Sequence, residues 1–190
     1  MDGERALSCR VLIIPEDPTY DQHILCPLVS RLLRECGKDQ ARVSVFANPQ
    51  ITSFEKVRRG LPTIVERYRH FDLLLFLPDA DGKSVGRKVL FASLEAKLGP
   101  KLICCAAVEE VEAWLLAGHI DKLPKPWPEV RADVSVKENV FEPFRKQHGN
   151  EGPGGGREEL MRATLKNYRG LLERCPELAR LQEKICEALA

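Results

Sequence analysis

The sequence predicts an α/β protein, with a doubly wound, mostly parallel sheet and a C-terminal helical extension. Short aliphatic runs alternate with segments of helical apolar spacing over residues 8–118, which is the pattern of strands connected by helices. The run "FDLLLFLPDADG" is continuously apolar, as is typical of a strand covered on both faces. Beyond residue 118 the composition changes, with proline-rich and glycine-rich stretches followed by further predicted helices.

Four strands and four helices are predicted in the first part of the chain. The strands are "RVLIIP", "ARVSVFAN", "FDLLLFLPDADG" and "KLICCAAV". The helices cover Gln22–Cys36, "SFEKVRRGLPTIVERYRH", residues 84–98 and a segment that begins in "EEVEAWLLAG". Gly37 is positioned to end the first helix, and Gly60-Leu61-Pro62 predicts a break in the second.

The C-terminal part is predicted to pack on the sheet domain rather than to fold alone, giving an α/β domain at 8–118 and an extension at 119–190. The three prolines of "KLPKPWPEV" argue against a regular helix there. "QHGNEGPGGGREEL" predicts a mobile loop that leads into a helix at 157–170, and a last helix follows "CPEL". The glycines at 149–156 could serve as a linker, or their N–H groups could hold a phosphate.

Composition excludes some functional classes. The net charge of +1 creates no global field toward nucleic acid or membrane, so any basic surface must be local. Seven cysteines form no CxxC pair and no zinc-like spacing with the histidines, which predicts reduced thiols in a cytoplasm. No run approaches the roughly 18 apolar residues of a membrane span, and "MDGERALSCR" lacks the apolar core of a signal peptide. We therefore expect a cytoplasmic protein without a membrane partner.

Acidic residues follow three of the four predicted strands. They are Glu16 and Asp17 after the first, Asp79 and Asp81 after the third, and Glu109, Glu110 and Glu112 after the fourth. The carboxyl ends of parallel strands lie at one edge of a sheet, where ligands bind. Clustered carboxylates repel unless a cation relieves them, and oxygen-only ligands suit Mg²⁺ or Mn²⁺. The simpler alternative is that each acid caps a helix or marks a turn.

A glutamate after the first strand, the D-x-D of "PDADG" and a further acid in "VEEVEAWLLAG" resemble the TOPRIM domain of topoisomerases, primases and OLD-type nucleases. The last segment is similar to the E-x-W-L-L stretch of small bacterial TOPRIM-like proteins. The resemblance covers roughly residues 10–118 and implies a TOPRIM/Rossmann-like fold. It also implies Mg²⁺-dependent chemistry on phosphodiesters.

The resemblance implies a role for each acid. Glu16 would act as acid/base or metal ligand, Asp79 and Asp81 would hold Mg²⁺, and Glu112 would complete a catalytic set of four. Asp21 matches an aspartate that nuclease-type members carry a few residues after the glutamate, which adds it to the metal ligands. One departure is that Asp17 stands where TOPRIM domains have glycine.

Basic residues flank this predicted site. Lys83, Arg87 and Lys88 follow the D-x-D directly, and Arg157 begins a later helix, so we expect these four to bind substrate phosphates. The alternative is a solvated helix face. The implied function is a metal-dependent nuclease or nucleic-acid-processing protein, working with a partner such as an ATPase subunit in a phage-defence-type system. The alternative is a non-catalytic TOPRIM-fold binding or scaffold subunit.

A second resemblance is to response-regulator receiver domains. Pro78-Asp79-Ala80-Asp81-Gly82 fits their P-x-x-D-G turn, and an acid pair follows the first strand. However, Leu75 or Phe76 occupies the place of the phosphorylated aspartate, and no lysine closes the fourth strand. The sequence therefore predicts, at most, a degenerate receiver-like domain without phosphorylation.

Overall fold

The computed structural model describes residues 9–51 and 53–190, without the side chain of Ser84. Its sheet contains β1 (Arg10–Ile14), β2 (Arg42–Val45), β3 (Leu73–Phe76) and β4 (Leu102–Cys104). The strands are all parallel, in the order β2-β1-β3-β4. The predicted α/β class is thereby confirmed. Because the strand order reverses between β1 and β3, the ligand-binding crevice of such a sheet is expected at the carboxyl ends of these two strands.

The described residues form helices of very different lengths. They are α1 (Gln22–Glu35), α2 (Phe54–Arg67), α3 (Ser84–Leu98), α4 (Glu112–Leu116), α5 (Trp127–Arg131), α6 (Glu142–His148), α7 (Arg157–Thr164), α8 (Tyr168–Arg174) and α9 (Pro176–Ala188). A π-helical turn at Lys137–Phe141 runs directly into α6, and short 3₁₀ turns lie at Ile120–Lys122 and Leu165–Asn167.

Two apolar cores cover the two faces of the sheet. Alternate residues of β1 enter different cores: Val11 and Ile13 pack with α1, α4 and the C-terminal helices, whereas Leu12 and Ile14 pack with α2 and α3. This alternation explains why β1 is continuously apolar from Val11 to Ile14. The helices α7 and α9 both contact α1, so the C-terminal helices extend the first core. The predicted domain boundary at residue 8 lies outside the described residues.

Three local predictions were wrong. Helix α2 continues through Gly60 and Pro62, because burial of Leu61 and Ile64 in the core outweighs the hydrogen bond that the proline removes. The proline-rich stretch contains the short helix α5, with Pro128 in its first turn, where a missing N–H has no cost. The helix predicted at 157–170 instead ends at Thr164, and α8 follows after a 3₁₀ turn.

Cysteine chemistry also differs from the expectation of reduced thiols. Cys36 and Cys186 form a disulfide with a Cα–Cα distance of 5.0 Å, which joins the C-terminal ends of α1 and α9. Their separation of 150 residues gave no local signal for the pairing. Among the helices of residues 9–51 and 53–190, none is both long and apolar enough to cross a membrane.

The glycine-rich loop at 149–156 packs against the start of α1. Gly154, Gly155 and Gly156 all have positive φ angles, a conformation that glycine adopts without strain. A Cβ atom on Gly154 would lie 2.5 Å from the His23 ring, so the close approach also requires glycine. The mobility predicted for this loop stays a prediction.

Candidate metal centre

Four carboxyl groups meet at the carboxyl edge of the sheet. Glu16 follows β1, Asp21 precedes α1, Asp79 follows β3, and Glu112 begins α4; we call these four the acidic cluster. Burial raises the pKa of Asp79 well above its ordinary value, and the charges of Asp21, Glu112 and Glu16 raise it further. The structure therefore brings together four of the five acids predicted to form the site.

The fifth predicted acid, Asp81, points to the periphery of the cluster. Its side chain is 49% exposed, and a carboxylate oxygen lies 3.7 Å from Nη2 of Arg87. Its charge nevertheless raises the pKa of Glu16. The two aspartates of the D-x-D thus differ, since Asp79 is buried with the cluster and Asp81 is half-exposed beside Arg87.

The D-x-D loop is held to the loop before α4. The N–H of Ala80 donates to the carbonyl oxygens of Ala107 and Glu109, and the N–H of Gly82 donates to the Glu109 carboxylate at 2.6 Å. Asp81 and Glu109 both have positive φ angles, 49° and 62°. Such strain in non-glycine residues persists only where surrounding contacts enforce it, and it is concentrated at functional sites.

Helix capping accounts for part of this arrangement. One oxygen of Asp79 accepts the N–H of Val111 at 2.8 Å, at the start of α4. Asp21 makes no side-chain cap for α1; its carboxylate instead accepts the N–H of Asp17 at 3.1 Å. The simpler alternative of caps and turns therefore holds for several of these acids. Asp17, Glu109 and Glu110 each accept a backbone N–H, and Glu16 accepts the N–H groups of Asp79 and of Phe54, the latter at the start of α2. Glu112 is the acid that this alternative leaves unexplained.

Glu112 is the most unusual residue of the cluster. Its side chain is 1% exposed, and neither carboxylate oxygen has a hydrogen-bond partner among the described residues. Nζ of Lys137 lies 3.3 Å from Oε1 and forms an ion pair with it. Oε1 of Glu16 is also buried without a partner. Buried polar atoms without partners lower the stability of the folded protein. These oxygens can therefore accept a hydrogen bond or bind a cation.

Several carboxyl groups here titrate near neutral pH. Burial, aided by the charge of Asp81, raises the pKa of Glu16 to about 7. Burial and the nearby Glu112 raise the pKa of Asp21 to about 7. The pKa of Glu110, whose carboxylate accepts the N–H of Lys137, is also raised to about 7 by burial. Burial is therefore the main cause of all three raised pKa values, and the charges of neighbouring acids add to it.

Lys137 is the functional candidate that sequence reasoning missed. Burial alone would lower its pKa, but Glu112, with help from Asp21 and Asp79, raises it overall. It begins the π-helical turn before α6, and such turns are frequent at functional sites. No spacing or motif around "SVKENVF" points to the acids, because only the fold brings this turn to the sheet edge.

The four predicted substrate-binding residues divide into two groups. Lys83 and Lys88 are exposed beside the D-x-D loop. Arg87 is buried, with its guanidinium 3.0 Å from the ring centre of Phe54. Arg157 is 4% exposed and donates hydrogen bonds to the carbonyl of Gly154 and to Glu142. Arg157 therefore anchors the glycine-rich loop, and this placement does not favour direct contact with a substrate.

The donor set of the acidic cluster is entirely carboxylate oxygen, which fits a hard cation such as Mg²⁺ or Mn²⁺ better than zinc. In the part of the chain that the structure describes, however, no three His, Cys, Asp or Glu side chains are arranged to ligate one ion together. Binding would thus require side-chain rotation. No family model, curated protein or solved structure matches this chain.

Proposed function

We propose that the acidic cluster binds Mg²⁺ or Mn²⁺, and that the protein is a TOPRIM-like, metal-dependent nuclease or nucleic-acid-processing protein acting on phosphodiesters. The observation that carries the proposal is Glu112, a buried carboxylate whose one ion-pair partner among the described residues is the half-buried Lys137, although its charge also acts on Asp21 and Asp79. A divalent cation would bind these oxygens and relieve the repulsion that helps to raise the pKa values of Asp21 and Asp79.

We assign different roles in metal binding and proton transfer to the cluster residues. Asp79, Glu112 and Asp21 would hold the cation, which supplies polarisation of the phosphate and stabilisation of the leaving oxygen when bound. Glu16, with a pKa near 7, can hold or accept a proton at neutral pH, which suits a general acid or base. Lys137 already offsets part of the negative charge and could contact a phosphate oxygen.

The second candidate is a non-catalytic TOPRIM-fold binding or scaffold subunit with the same metal site. Two observations favour it. Asp17 and Pro18 follow Glu16 in place of the glycine of TOPRIM domains, and one oxygen of Asp79 is already engaged by Val111. A nucleic-acid or ATPase partner in a phage-defence-type system is compatible with either candidate and follows from the resemblance alone.

A nuclease assay combined with thermal unfolding separates the candidates. Purified protein is incubated with plasmid, single-stranded DNA and RNA in Mg²⁺, in Mn²⁺ and in EDTA, beside the double variant Asp79→Asn/Glu112→Gln. The matched control is Glu138→Gln, which removes an exposed acid next to Lys137. The nuclease proposal expects metal-dependent cleavage that falls at least about a hundredfold in the double variant and is unchanged in the control.

Each result has a distinct meaning. A Mg²⁺-dependent rise in Tm that the double variant loses, without cleavage of any substrate, would favour the binding or scaffold subunit. Cleavage that the double variant retains would place the activity elsewhere. The absence of both cleavage and a metal-dependent Tm shift would refute the metal centre itself.

A further inference from the structure

A groove of about 410 Å³ lies between α3 and α9. Its floor is formed by the edge of β4 that faces away from β3, together with residues 105–108. One end reaches Ala80, between the two aspartates of the D-x-D. The volume falls within the usual range for small-molecule sites, about 300–1,000 Å³.

The walls of the groove are predominantly basic. Five basic side chains line it, namely Arg87, Lys88, Arg131, Arg180 and Lys184, against two acids, Glu95 and Glu177. Both acids are already engaged. Glu95 forms an ion pair with Lys184 at 2.8 Å, and Glu177 forms one with Arg131 at 2.7 Å.

Two basic residues on opposite walls have no acidic partner within the described chain. They are Lys88 on α3 and Arg180 on α9, and both are exposed. Arg87 contributes a third positive charge, which it shares with Asp81 at 3.7 Å. This surplus of positive charge suits a doubly charged anion such as a phosphate monoester better than a single carboxylate.

Between these charges the groove is apolar. Phe91, Ala92 and Leu181 line it, as do Ala106 and Val108 on the floor. The N–H groups of Cys105 and Ala107 donate toward β3, so strand alternation turns the N–H of Ala106 toward the groove as an additional donor. Apolar walls with a few converging donors are the usual design of a site for a small organic ligand.

An added peptide strand is a less suitable occupant, although β4 lies at the edge of the sheet. The Glu95 carboxylate accepts the N–H of Cys104 at 2.7 Å, and the N–H of Leu102 donates to Gly99. The edge is thus closed at the positions where a fifth strand would have to pair.

We propose that the groove between α3 and α9 binds a phosphate monoester of about mononucleotide size, with the phosphate between Lys88 and Arg180 and an apolar body against Phe91 and Leu181. This site is separate from the acidic cluster and needs no metal ion there. A protein with a metal centre and an adjoining phosphate-ester site could couple the occupancy of one to the other, but the groove proposal does not rest on the proposed function.

The test is calorimetric titration of the whole protein in EDTA with 5′-AMP, phenyl phosphate, inorganic phosphate, benzoate and a short acidic peptide. We expect the two phosphate esters to bind more tightly than inorganic phosphate or benzoate. We expect Lys88→Ala and Arg180→Ala each to raise the Kd by about tenfold, since each removes a charge-assisted contact. Lys97→Ala is the matched control, because it removes an exposed lysine of the same helix that does not line the groove.

Several results would overturn the proposal. They are the absence of binding by both esters, equal binding of inorganic phosphate and phenyl phosphate, and a Kd that changes as much in Lys97→Ala as in Lys88→Ala. Tighter binding of an acidic peptide than of either ester would assign the groove to a protein partner instead. Because all titrations are done in EDTA, failure here leaves the metal centre untouched, and failure of the metal centre leaves this result untouched.

Discussion

Two buried glutamates, Glu112 and Glu177, differ in the number of hydrogen bonds that their carboxylates accept. Glu112 and Glu177 both lie in the first turn of a helix, and both are almost completely buried. Glu177 accepts hydrogen bonds from Nε1 of Trp114 at 2.8 Å and from Nη2 of Arg131 at 2.7 Å. Glu112 has an ion pair with Nζ of Lys137 at 3.3 Å, but no tryptophan or arginine among the described residues donates a hydrogen bond to it.

The difference in hydrogen bonding suggests a structural role for Glu177 and a functional role for Glu112. A buried carboxylate that is fully hydrogen-bonded can be explained by packing and specificity alone. One that is left without hydrogen bonds reduces stability, so its presence calls for another explanation, and in an acidic cluster a cation is the most direct one. The same substitution should therefore lower stability most at Glu177 and abolish the response to Mg²⁺ at Glu112.

The largest effect is expected from Glu177→Gln. The change leaves Arg131 without its charged partner in a half-buried position, which should lower the free energy of unfolding by about 3 kcal/mol. Urea denaturation measures the loss, with the exposed Glu129→Gln as control. Any stabilisation by Mg²⁺ should be retained. A loss below about 1 kcal/mol would show that hydrogen bonding does not distinguish the two glutamates.

An intermediate effect is expected from pH in the presence of EDTA. The raised pKa values of Glu16 and Asp21, about 7 in the folded protein, mean that the folded state keeps protons that the unfolded state releases near pH 4. Stability should therefore decline as pH rises from about 4 to about 7, with a fall in Tm of roughly 5 °C or more. Asp21→Asn should flatten this decline. A Tm that rises over the same range would contradict the assignment.

The smallest effect on stability is expected from Glu112→Gln. In EDTA at pH 8 the free energy of unfolding should change by no more than about 1 kcal/mol, because a buried charge is removed along with its ion pair to Lys137. Stabilisation by Mg²⁺ should be lost in this variant but kept in Glu177→Gln. Equal Mg²⁺ responses of the two variants would remove the basis for a metal site at Glu112.

Part of the site could be predicted from the sequence, because apolar periodicity marks where parallel strands end. That was enough to expect Glu16, Asp79 and Glu112 at one edge of the sheet. It did not distinguish Asp79 from Asp81, since the direction of each side chain depends on a loop held by Glu109. The sequence also did not indicate that Arg157 is buried against Glu142, because the residues next to an arginine in the sequence do not show whether its side chain is exposed.

The sequence alone determined the α/β class and the edge on which acids accumulate, since both follow from aliphatic runs that alternate with segments of helical apolar spacing. Only the tertiary structure decided the strand order β2-β1-β3-β4. It also decided that Lys137 lies next to Glu112 and that a basic groove forms between α3 and α9. These features join residues that are distant along the chain. They depend on how helices pack across the sheet, which no short stretch of sequence encodes.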